Sequence, residues 1–356
     1  MKKIVSLLLF TVLCIWAFDK PKTKFDPEKY VVYKTEKPIL MDGKVDDSVW
    51  LEVPWTNNFV DIEGELKPLP HFKTRVKMLY DDSYFYFAAE LEEPHIWAKL
   101  KERDSVIYYD NDFEIFIDPD GDTFNYYELE VNAFATEWDL LLTAPYRDRG
   151  CHAIDSWDIA GLITKVHHYG TINNPSDLDE KWSVEIAIPW KVLEEAANHG
   201  GIPHNGEQWR INFSRVQWDT EVVNGEYVKK LDENGKSLPE RNWVWSPQGL
   251  IAMHCPERWG FVQFSENSPN NPTKFVDDKN EDIKQQLRKL YYLQRDYKDS
   301  FNNYTGDIEK FVKQIQIDNP NFNPDFFMMD KYWIAKQKGS DGKVWFISDD
   351  GRIWSD

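Results

Sequence analysis

The stretch between residues 108 and 138 is predicted to be the scaffold of a ligand site, and aromatic and polar side chains that could hold a flat ligand occur within it and later in the chain. Aromatic faces stack on flat apolar surfaces, while amide and guanidinium groups form hydrogen bonds around them. The aromatic candidates, chosen by their predicted loop or strand-end positions, are Tyr108, Tyr109, Trp138, Trp157, Trp218, Trp243 and Trp245. The polar candidates are Asn132, Asn212 and Arg215. Core packing is the alternative for each tryptophan, since aromatic residues also favour strands.

Arg215 differs from the other candidates because it falls on the apolar side of its predicted strand. It follows Ile211 and Phe213 in a period-two pattern whose apolar positions face a core. An inward arginine needs a partner for its charge. A buried ion pair and a ligand contact therefore both stay open for this residue.

An acidic loop with metal-ligand spacing follows the first strand of this stretch. Asp118, Asp120 and Asp122 stand two residues apart, with Pro119 and Gly121 between them. Carboxylate oxygens at such spacing can wrap around Ca²⁺, although the glycine is too early and the distal glutamate is missing for an EF-hand. A solvated acidic turn is the alternative interpretation.

Catalytic motifs do not emerge from the sequence. Glu114 and Glu185 lie in the middle of predicted strands, and nothing singles out two carboxylates as an acid–base pair for glycoside hydrolysis. Neither a nucleophile elbow nor a glycine-rich phosphate loop is found. Hydrolysis of an unrecognised type is kept as an alternative to binding.

The composition limits the possible partners. The chain has 356 residues, 61 Asp and Glu against 42 Lys and Arg, and a formal net charge of −19. Nucleic acids bind through neutralisation of phosphates by cationic side chains, so this balance argues against them. Aromatic residues make up 15% of the chain, which suits a β core and leaves rings available for a ligand surface.

The N-terminal segment predicts export. Lys2 and Lys3 precede an apolar run over residues 4–18, which is too short to span a bilayer and is typical of a signal peptide. We place this peptide at residues 1–17 and expect a periplasmic, cell-surface or secreted protein. A lipoprotein attached at Cys14 is the alternative, but the preceding residues fit a lipobox poorly. The other cysteines, Cys151 and Cys255, could pair in an oxidising compartment or remain separate thiols.

Alternating strands dominate the rest of the chain and predict an all-β antiparallel sandwich of two sheets. The predicted strands cover residues 72–80, 84–91, 113–117, 128–132, 161–167, 182–188, 210–216 and two segments within 243–263. Residues 18–37 are predicted to be a lead-in, 38–264 the sandwich and 265–279 a linker. Residues 280–356 are predicted to form a small appendage of helices followed by a β-meander, which packs on the sandwich because it is too small to bury a core alone.

An ordered series of short motifs resembles a known family. The series is Asp42-Gly43 to Trp50, Tyr80 to Tyr86, Asn111 to Asp118, Trp182 to Trp190, Trp209 to Asn212, Trp245-Ser246 and Trp259-Gly260. In this order the motifs resemble the family 9 carbohydrate-binding module of the DOMON-like superfamily, over roughly residues 38–264. The resemblance implies a two-sheet sandwich that binds a poly- or oligosaccharide without cleaving it, between aromatic walls and with structural calcium nearby.

The resemblance also marks positions in this chain where the family has ligand contacts. Tyr108, with Tyr109 beside it, occupies the place of one aromatic wall. Glu130 stands where the family has an arginine, and Ser214 stands where it has a glutamine. The second wall falls near Met253 and His254. The resemblance therefore implies the fold more firmly than the family's preference for sugar reducing ends.

The wider superfamily supplies an alternative function. Some DOMON-like domains bind haem, which needs an axial pair such as histidine with methionine or a second histidine. The available residues are Met78, His95, His152, His167, His168, Met253 and His254. Carbohydrate binding is the favoured function, in a setting of polysaccharide capture and degradation by separate glycoside hydrolases.

Overall fold

The computed structural model describes residues 20–148 and 150–356, so the predicted signal peptide and Cys14 lie outside the described residues. Within the described stretches, strands far outnumber helices. The strands are β1 Lys29–Lys34, β2 Val60–Asp61, β3 Thr74–Tyr80, β4 Tyr84–Glu92, β5 Asp112–Asp118, β6 Tyr126–Asn132, β7 Glu137–Leu142, β8 Ala153–Ile154, β9 Ile163–Tyr169, β10 Lys181–Pro189, β11 Gln208–Gln217, β12 Thr220–Val223, β13 Glu226–Lys229, β14 Arg241–Val244, β15 Gly260–Ser265, β16 Asp325–Met329, β17 Tyr332–Lys338, β18 Val344–Ser348 and β19 Ile353–Ser355. The α-helices are α1 Ser48–Leu51, α2 Trp190–Leu193, α3 Glu281–Phe301 and α4 Glu309–Gln316.

One curled sheet of thirteen strands builds the sandwich. Its order is β8-β7-β6-β5-β11-β15-β1-β3-β4-β10-β9, and β14 pairs with both β11 and β2. The two halves of this sheet face each other across the main core. Phe87 of β4 and Phe213 of β11 meet there with their ring centroids 5.8 Å apart. The predicted β-sandwich is therefore confirmed, with its two layers formed by a single continuous sheet.

The pairing of β5 with β6 shows how the alternation sorts side chains between two environments. Phe113, Ile115 and Ile117 of β5, with Leu129 and Val131 of β6, are buried in the main core. The intervening residues of both strands point to the opposite face, because successive side chains of a strand alternate. That opposite face is covered by loops rather than left in solvent, and it carries the candidate site.

The N-terminal lead-in contains a strand that the sequence does not reveal. β1 pairs in parallel with both β15 and β3, and so joins the two halves of the sheet. Its Val32 is fully buried in the main core. The segment has only four apolar residues, Tyr30 to Tyr33, between lysines. Its strand character depends on partners more than forty residues away, which a local pattern cannot show.

The C-terminal appendage combines α3 and α4 with the four-stranded sheet β16-β17-β18-β19. It has a cluster of buried side chains of its own, formed by Leu287, Leu290, Tyr291, Tyr304, Ile315, Phe322, Trp333, Ala335, Ile347 and Ile353. The predicted meander gains one further strand, β16, which pairs with β17. Among the residues described, the helices all lack the combination of length and hydrophobicity that crossing a membrane requires.

Buried ion pairs and hydrogen bonds attach the appendage to the sandwich. Arg147 donates two hydrogen bonds of 2.8 Å to the Glu257 carboxylate, which also accepts one of 2.6 Å from Tyr292 of α3. Arg295 of α3 donates to Asp148 at 2.8 Å and to the Arg147 carbonyl at 2.9 Å. These five residues are called the docking network below. They place the appendage directly behind two loops of the sandwich, residues 143–152 and 250–258.

Cys151 and Cys255 are separate free thiols in the structure. Cys255 is fully buried, whereas Cys151 is partly exposed. Burial raises the pKa of both thiols, which keeps them protonated and unreactive at neutral pH. Of the two possibilities left open by the sequence, the structure shows the separate thiols.

Candidate functional site

A cavity of about 390 Å³ lies on the outer face of β5, β6 and β7. Its floor contains Glu114, Glu130 and Trp138, which are direct neighbours in the registers of these three strands. Beside them lies a second row, formed in the same way by Phe116, Glu128 and Leu140. The strict alternation that fills the main core therefore also places three glutamates under one cavity.

Tyr108 forms one side of the cavity. It lies in a short 3₁₀ helix, Ile107–Tyr109, just before β5. Its backbone N–H donates to Glu130 at 2.9 Å, and its carbonyl accepts a 2.8 Å hydrogen bond from the indole N–H of Trp218. The Tyr108 ring lies 6.3 Å from that of Trp138, and both rings line the cavity. Two residues of the predicted ligand site, Tyr108 and Trp138, therefore line one cavity, and the ligand site itself stays a prediction.

The loops next to the docking network supply the other aromatic side. Tyr146, Met253 and His254 line the cavity, and the Tyr146 ring meets the His254 ring edge-on at 4.3 Å. His254 Nδ1 shares a hydrogen bond of 2.9 Å with the Tyr126 hydroxyl. Burial and the nearby Arg147 lower the pKa of His254 to about 3, so its imidazole is neutral. This side lies where the family resemblance places the second wall.

The glutamates of the floor are held in unfavourable surroundings for a negative charge. Burial raises the pKa of Glu114 to about 7. Burial, and then repulsion from Glu114, raises the pKa of both Glu128 and Glu130. One carboxylate oxygen of Glu114 and one of Glu128 have no hydrogen-bond partner, although both side chains are only 4% exposed. Unsatisfied buried acceptors beneath a cavity indicate a place for donors from a ligand.

A substitution at Glu114 tests this electrostatic description. Because the folded-state pKa of Glu114 is above that of the unfolded chain, the stability it contributes at low pH is lost as the pH rises from 4.5 through about 7. We expect Glu114→Gln to raise the free energy of unfolding at pH 8, by roughly 3 kcal/mol at most, and to change it little at pH 4. Urea unfolding at both pH values measures this, with the exposed Glu233→Gln as control. An equal effect at both pH values would contradict the raised pKa.

Two of the eight predicted carbohydrate-binding residues, Tyr108 and Trp138, line the cavity. Tyr109 is 53% exposed, with its ring 4.9 Å from that of Tyr108, and lies just outside the lining. Trp157 packs on Tyr127 at the edge of the main core. Position in a loop or at a strand end therefore does not by itself distinguish the rings that line the cavity from those that pack elsewhere.

The two predicted asparagines lie away from the cavity, because their amides are used by the fold. Asn132 donates to the carbonyl of Leu100 at 2.8 Å and to Asp110 at 3.0 Å. Asn212 exchanges two hydrogen bonds of 2.9 Å with the backbone of Ser246. Both side chains are fully buried and hold neighbouring loops in place.

Arg215, Trp243 and Trp245 also lie outside the cavity. Arg215 forms a buried ion pair with Glu93 at 3.0 Å, which is one of the two possibilities that its inward position left open. Trp243 and Trp245 belong to the main core. The site described here therefore differs from the sequence-based set, since strand-end tryptophans at these positions turn inward.

Several lining residues escaped the sequence-based prediction. Tyr146 is 55% exposed and comes from a loop that carries no motif. Glu114 and Glu128 follow the outward positions of their strands, which normally indicates solvent. Their significance appears only when β5, β6 and the covering loops are assembled. The sequence carries one indication of these lining residues, because the spacing of Glu128 and Glu130 places two carboxylates on one face of one strand.

The acidic loop 118–122 is less solvated than its composition suggests. Asp118 is fully buried and Asp122 is 7% exposed, whereas Asp120 is exposed. One carboxylate oxygen from each lies within 4.8 Å of those of the other two. Burial and mutual repulsion raise the pKa of Asp118, and raise that of Asp120 to about 6. Arg352 of the appendage pairs with Asp122 at 2.7 Å.

The fold and the cavity describe a ligand-binding β-sandwich, and the family follows from the sequence match. The model of the carbohydrate family 9 binding domain-like family matches residues 41–243, which is more than half of the chain. The chain therefore belongs to this family. None of the curated proteins matches the sequence.

Solved structures similar to this chain include two complexes of a family 9 carbohydrate-binding module from Caldicellulosiruptor kristjanssonii. The cellotriose complex has 16% identity and a TM-score of 0.42, and the match covers 70% of this chain and 100% of that one. The glucose complex has 18% identity and a TM-score of 0.42, with 68% and 100% covered. A putative carbohydrate-binding protein from Bacteroides uniformis has 16% identity and a TM-score of 0.49, with 67% and 100% covered.

Proposed function

We propose that this protein binds a poly- or oligosaccharide in the cavity beside Tyr108 and does not cleave it. The observation that carries this proposal is one cavity that combines the rings of Tyr108, Trp138 and Tyr146 with two buried glutamates that each have one oxygen without a partner. Pyranose rings present apolar C–H faces that stack on aromatic rings, and hydroxyls around their edges that donate to carboxylates. Membership of the carbohydrate family 9 binding domain-like family supports the same ligand class.

The placement of the carboxylates favours binding over hydrolysis. Glycosidases place their two carboxyl groups on opposite sides of the scissile bond. Glu114 and Glu130 are instead direct neighbours in one sheet, and Glu128 follows on the same face. All three therefore approach a ligand from the floor, and Glu240, from the segment before β14, is the one other carboxyl group among the described residues of the lining.

The positions of the candidate axial ligands do not favour haem binding. Of the seven candidate histidines and methionines, Met253 and His254 line the cavity. They are consecutive residues, so they cannot bind opposite faces of one iron. Met78 is fully buried in the main core. Carbohydrate binding is accordingly the function that this site supports best.

The acidic loop 118–122 would hold the calcium ion that the resemblance implies. Asp118, Asp120 and Asp122 offer clustered hard ligands, and a divalent cation would offset the burial and mutual repulsion that raise the pKa of two of them. Arg352 already supplies one positive charge there. Calcium at this loop would stabilise the junction with the appendage, and we add this site to the proposal.

We further propose that the protein acts after export, beside separate glycoside hydrolases that degrade the captured polysaccharide. The support is the predicted signal peptide together with a site that binds a glycan without a catalytic pair. Surface proteolysis or fractionation of the native host would locate the protein.

A glycan array with and without chelator tests the proposed function. We expect retention of a defined set of oligosaccharides, with no reducing sugar released on prolonged incubation. Chelator is expected to lower the melting temperature if the acidic loop holds calcium, while leaving glycan selectivity unchanged. Absence of retention on every glycan would contradict carbohydrate binding, release of reducing sugar would contradict the non-catalytic assignment, and an unchanged melting temperature would contradict the calcium site.

A further inference from the structure

The lining of the cavity has a strongly one-sided charge. Four glutamates contribute to it: Glu114, Glu128 and Glu130 from the floor, and Glu240 from the segment before β14. Among the described residues of the lining no lysine or arginine balances them. The hydroxyls of a neutral sugar could occupy the vacant acceptors, whereas a cationic sugar would also stabilise the ionised form of these carboxyl groups.

The unpartnered oxygens point to a ligand with several donors and a positive charge. Glu114 and Glu128 both line the cavity, both are more than nine-tenths buried, and each has one oxygen without a hydrogen-bond partner. An ammonium group carries three donors and no acceptor, which suits a group of carboxylates. Charge-assisted hydrogen bonds are also roughly twice as strong as neutral ones.

The aromatic rings around the carboxylates support the same ligand chemistry. Tyr108, Trp138 and Tyr146 line the cavity together with the glutamates. Ring faces attract cations through their quadrupoles, and surrounding aromatic rings are a recurrent way to bind ammonium groups. The same rings can stack on the apolar face of a sugar, so one cavity can bind both the ammonium group and the sugar ring.

We propose that the cavity selects a sugar that carries a protonated amine, such as a glucosamine unit of a partly or fully de-N-acetylated polysaccharide. This inference rests on the proposed carbohydrate-binding function and names the ligand class of that same site. The amine lies among Glu114, Glu128 and Glu130, while the pyranose face stacks on the aromatic side chains.

Protons released by the glutamates of the cavity floor provide a measurable sign of amine binding. Because the pKa values of Glu114, Glu128 and Glu130 are raised, bringing an ammonium group among them releases protons to the solvent. The other charged or titratable groups that interact with this cluster are Asp112, Glu240, Tyr108, Tyr126, Tyr146 and His254. Lys229 interacts with two of these groups, Asp112 and Glu240. Lys229 lies over the ring of Trp218 at 3.2 Å and its pKa is lowered to about 8, so it can add to a proton count only above neutral pH.

Three β-1,4-linked trisaccharides that differ only at C2 test the proposal at pH 6.5. They are the glucosamine trimer, the N-acetylglucosamine trimer and cellotriose, titrated calorimetrically into the full chain in two buffers of different ionisation enthalpy. We expect the glucosamine trimer to bind at least tenfold more tightly than both others, and only its binding to release protons. Glu130→Gln and Glu128→Gln should reduce this preference to less than threefold, whereas the exposed Glu233→Gln should retain it.

The outcomes separate this inference from the proposed function. Equal binding of the three sugars, or tighter binding of cellotriose, would overturn the amine preference and leave carbohydrate binding standing. Failure of all three sugars to bind would overturn the amine preference, and would overturn carbohydrate binding as well only if the glycan array also showed no retention. Retention that depends on added Ca²⁺ or Mn²⁺ and disappears in Glu114→Gln would also overturn it, because Asp112, Glu114 and Glu130 would then hold a metal ion.

Discussion

Trp138→Ala is expected to lower the affinity for the retained oligosaccharide about thirtyfold. Trp138 lines the cavity on β7, directly beside Glu130 in the sheet register, and its ring lies 6.3 Å from that of Tyr108. Loss of a central aromatic contact in a binding site costs about 2 kcal/mol or more, which corresponds to this change in affinity. Calorimetric titration with the best glycan from the array measures it. Tyr108→Ala should also weaken retention, by a smaller factor because its ring is smaller.

Two further variants control for damage to the fold. Trp157→Ala removes a half-buried tryptophan at the edge of the core and outside the cavity, and should leave affinity within about twofold of the parent protein. Tyr146→Ala removes a ring that is 55% exposed, so it should reduce affinity with little change in stability. If Trp138→Ala binds as well as the parent protein, or Trp157→Ala loses as much affinity, then the sugar lies elsewhere.

Arg147→Ala is expected to destabilise the protein by about 3–5 kcal/mol, the range found when one partner of a buried ion pair is removed. Arg147 bonds both oxygens of Glu257 and the carbonyl of His254. Burial alone would raise the pKa of Glu257, but Arg147 and Arg288 outweigh it and lower this pKa to about 2. Without Arg147, the Glu257 carboxylate would stay buried with less positive charge nearby to balance its negative charge. Urea unfolding at pH 7 measures the loss.

The pH dependence distinguishes this ion pair from general packing damage. Because the folded-state pKa of Glu257 is lower than its unfolded value, the pair stabilises the parent protein above about pH 4.5, and this is lost as the pH falls toward 2. The difference between the parent protein and Arg147→Ala should therefore shrink over that range. The double variant Arg147→Met with Glu257→Leu should be less destabilised than Arg147→Ala. A constant difference across pH would show that the lost stability has another source.

The docking network also links the appendage to the proposed sugar site. Arg147 directly follows Tyr146, and it bonds the backbone of His254, so two residues of one cavity side depend on it. Behind them, Tyr292 and Arg295 of α3 bond Glu257 and the Arg147 carbonyl. Loss of the network should therefore weaken glycan binding as well as stability, although neither α3 residue lines the cavity.

The sequence by itself determined the sandwich, its main strands and the position of one aromatic side of the site. Period-two alternation in β5 and β6 fixes which side chains enter the core, because the strand period is two residues. The same alternation places Glu114, Glu128 and Glu130 together on the opposite face. Tyr108 and Trp138 could be identified because they flank this hairpin on either side.

Only the tertiary structure decided which outward-facing residues form a site and which inward-facing ones serve the fold. Arg215 could have met a ligand, and the approach of Glu93 from a distant loop made it an ion pair. β1 became a strand through partners in both halves of the sheet, and Tyr146 reached the cavity through a loop braced by α3. These outcomes depend on contacts between segments that are far apart in the chain. A local pattern of residues cannot predict such contacts, because it does not include the partner segment.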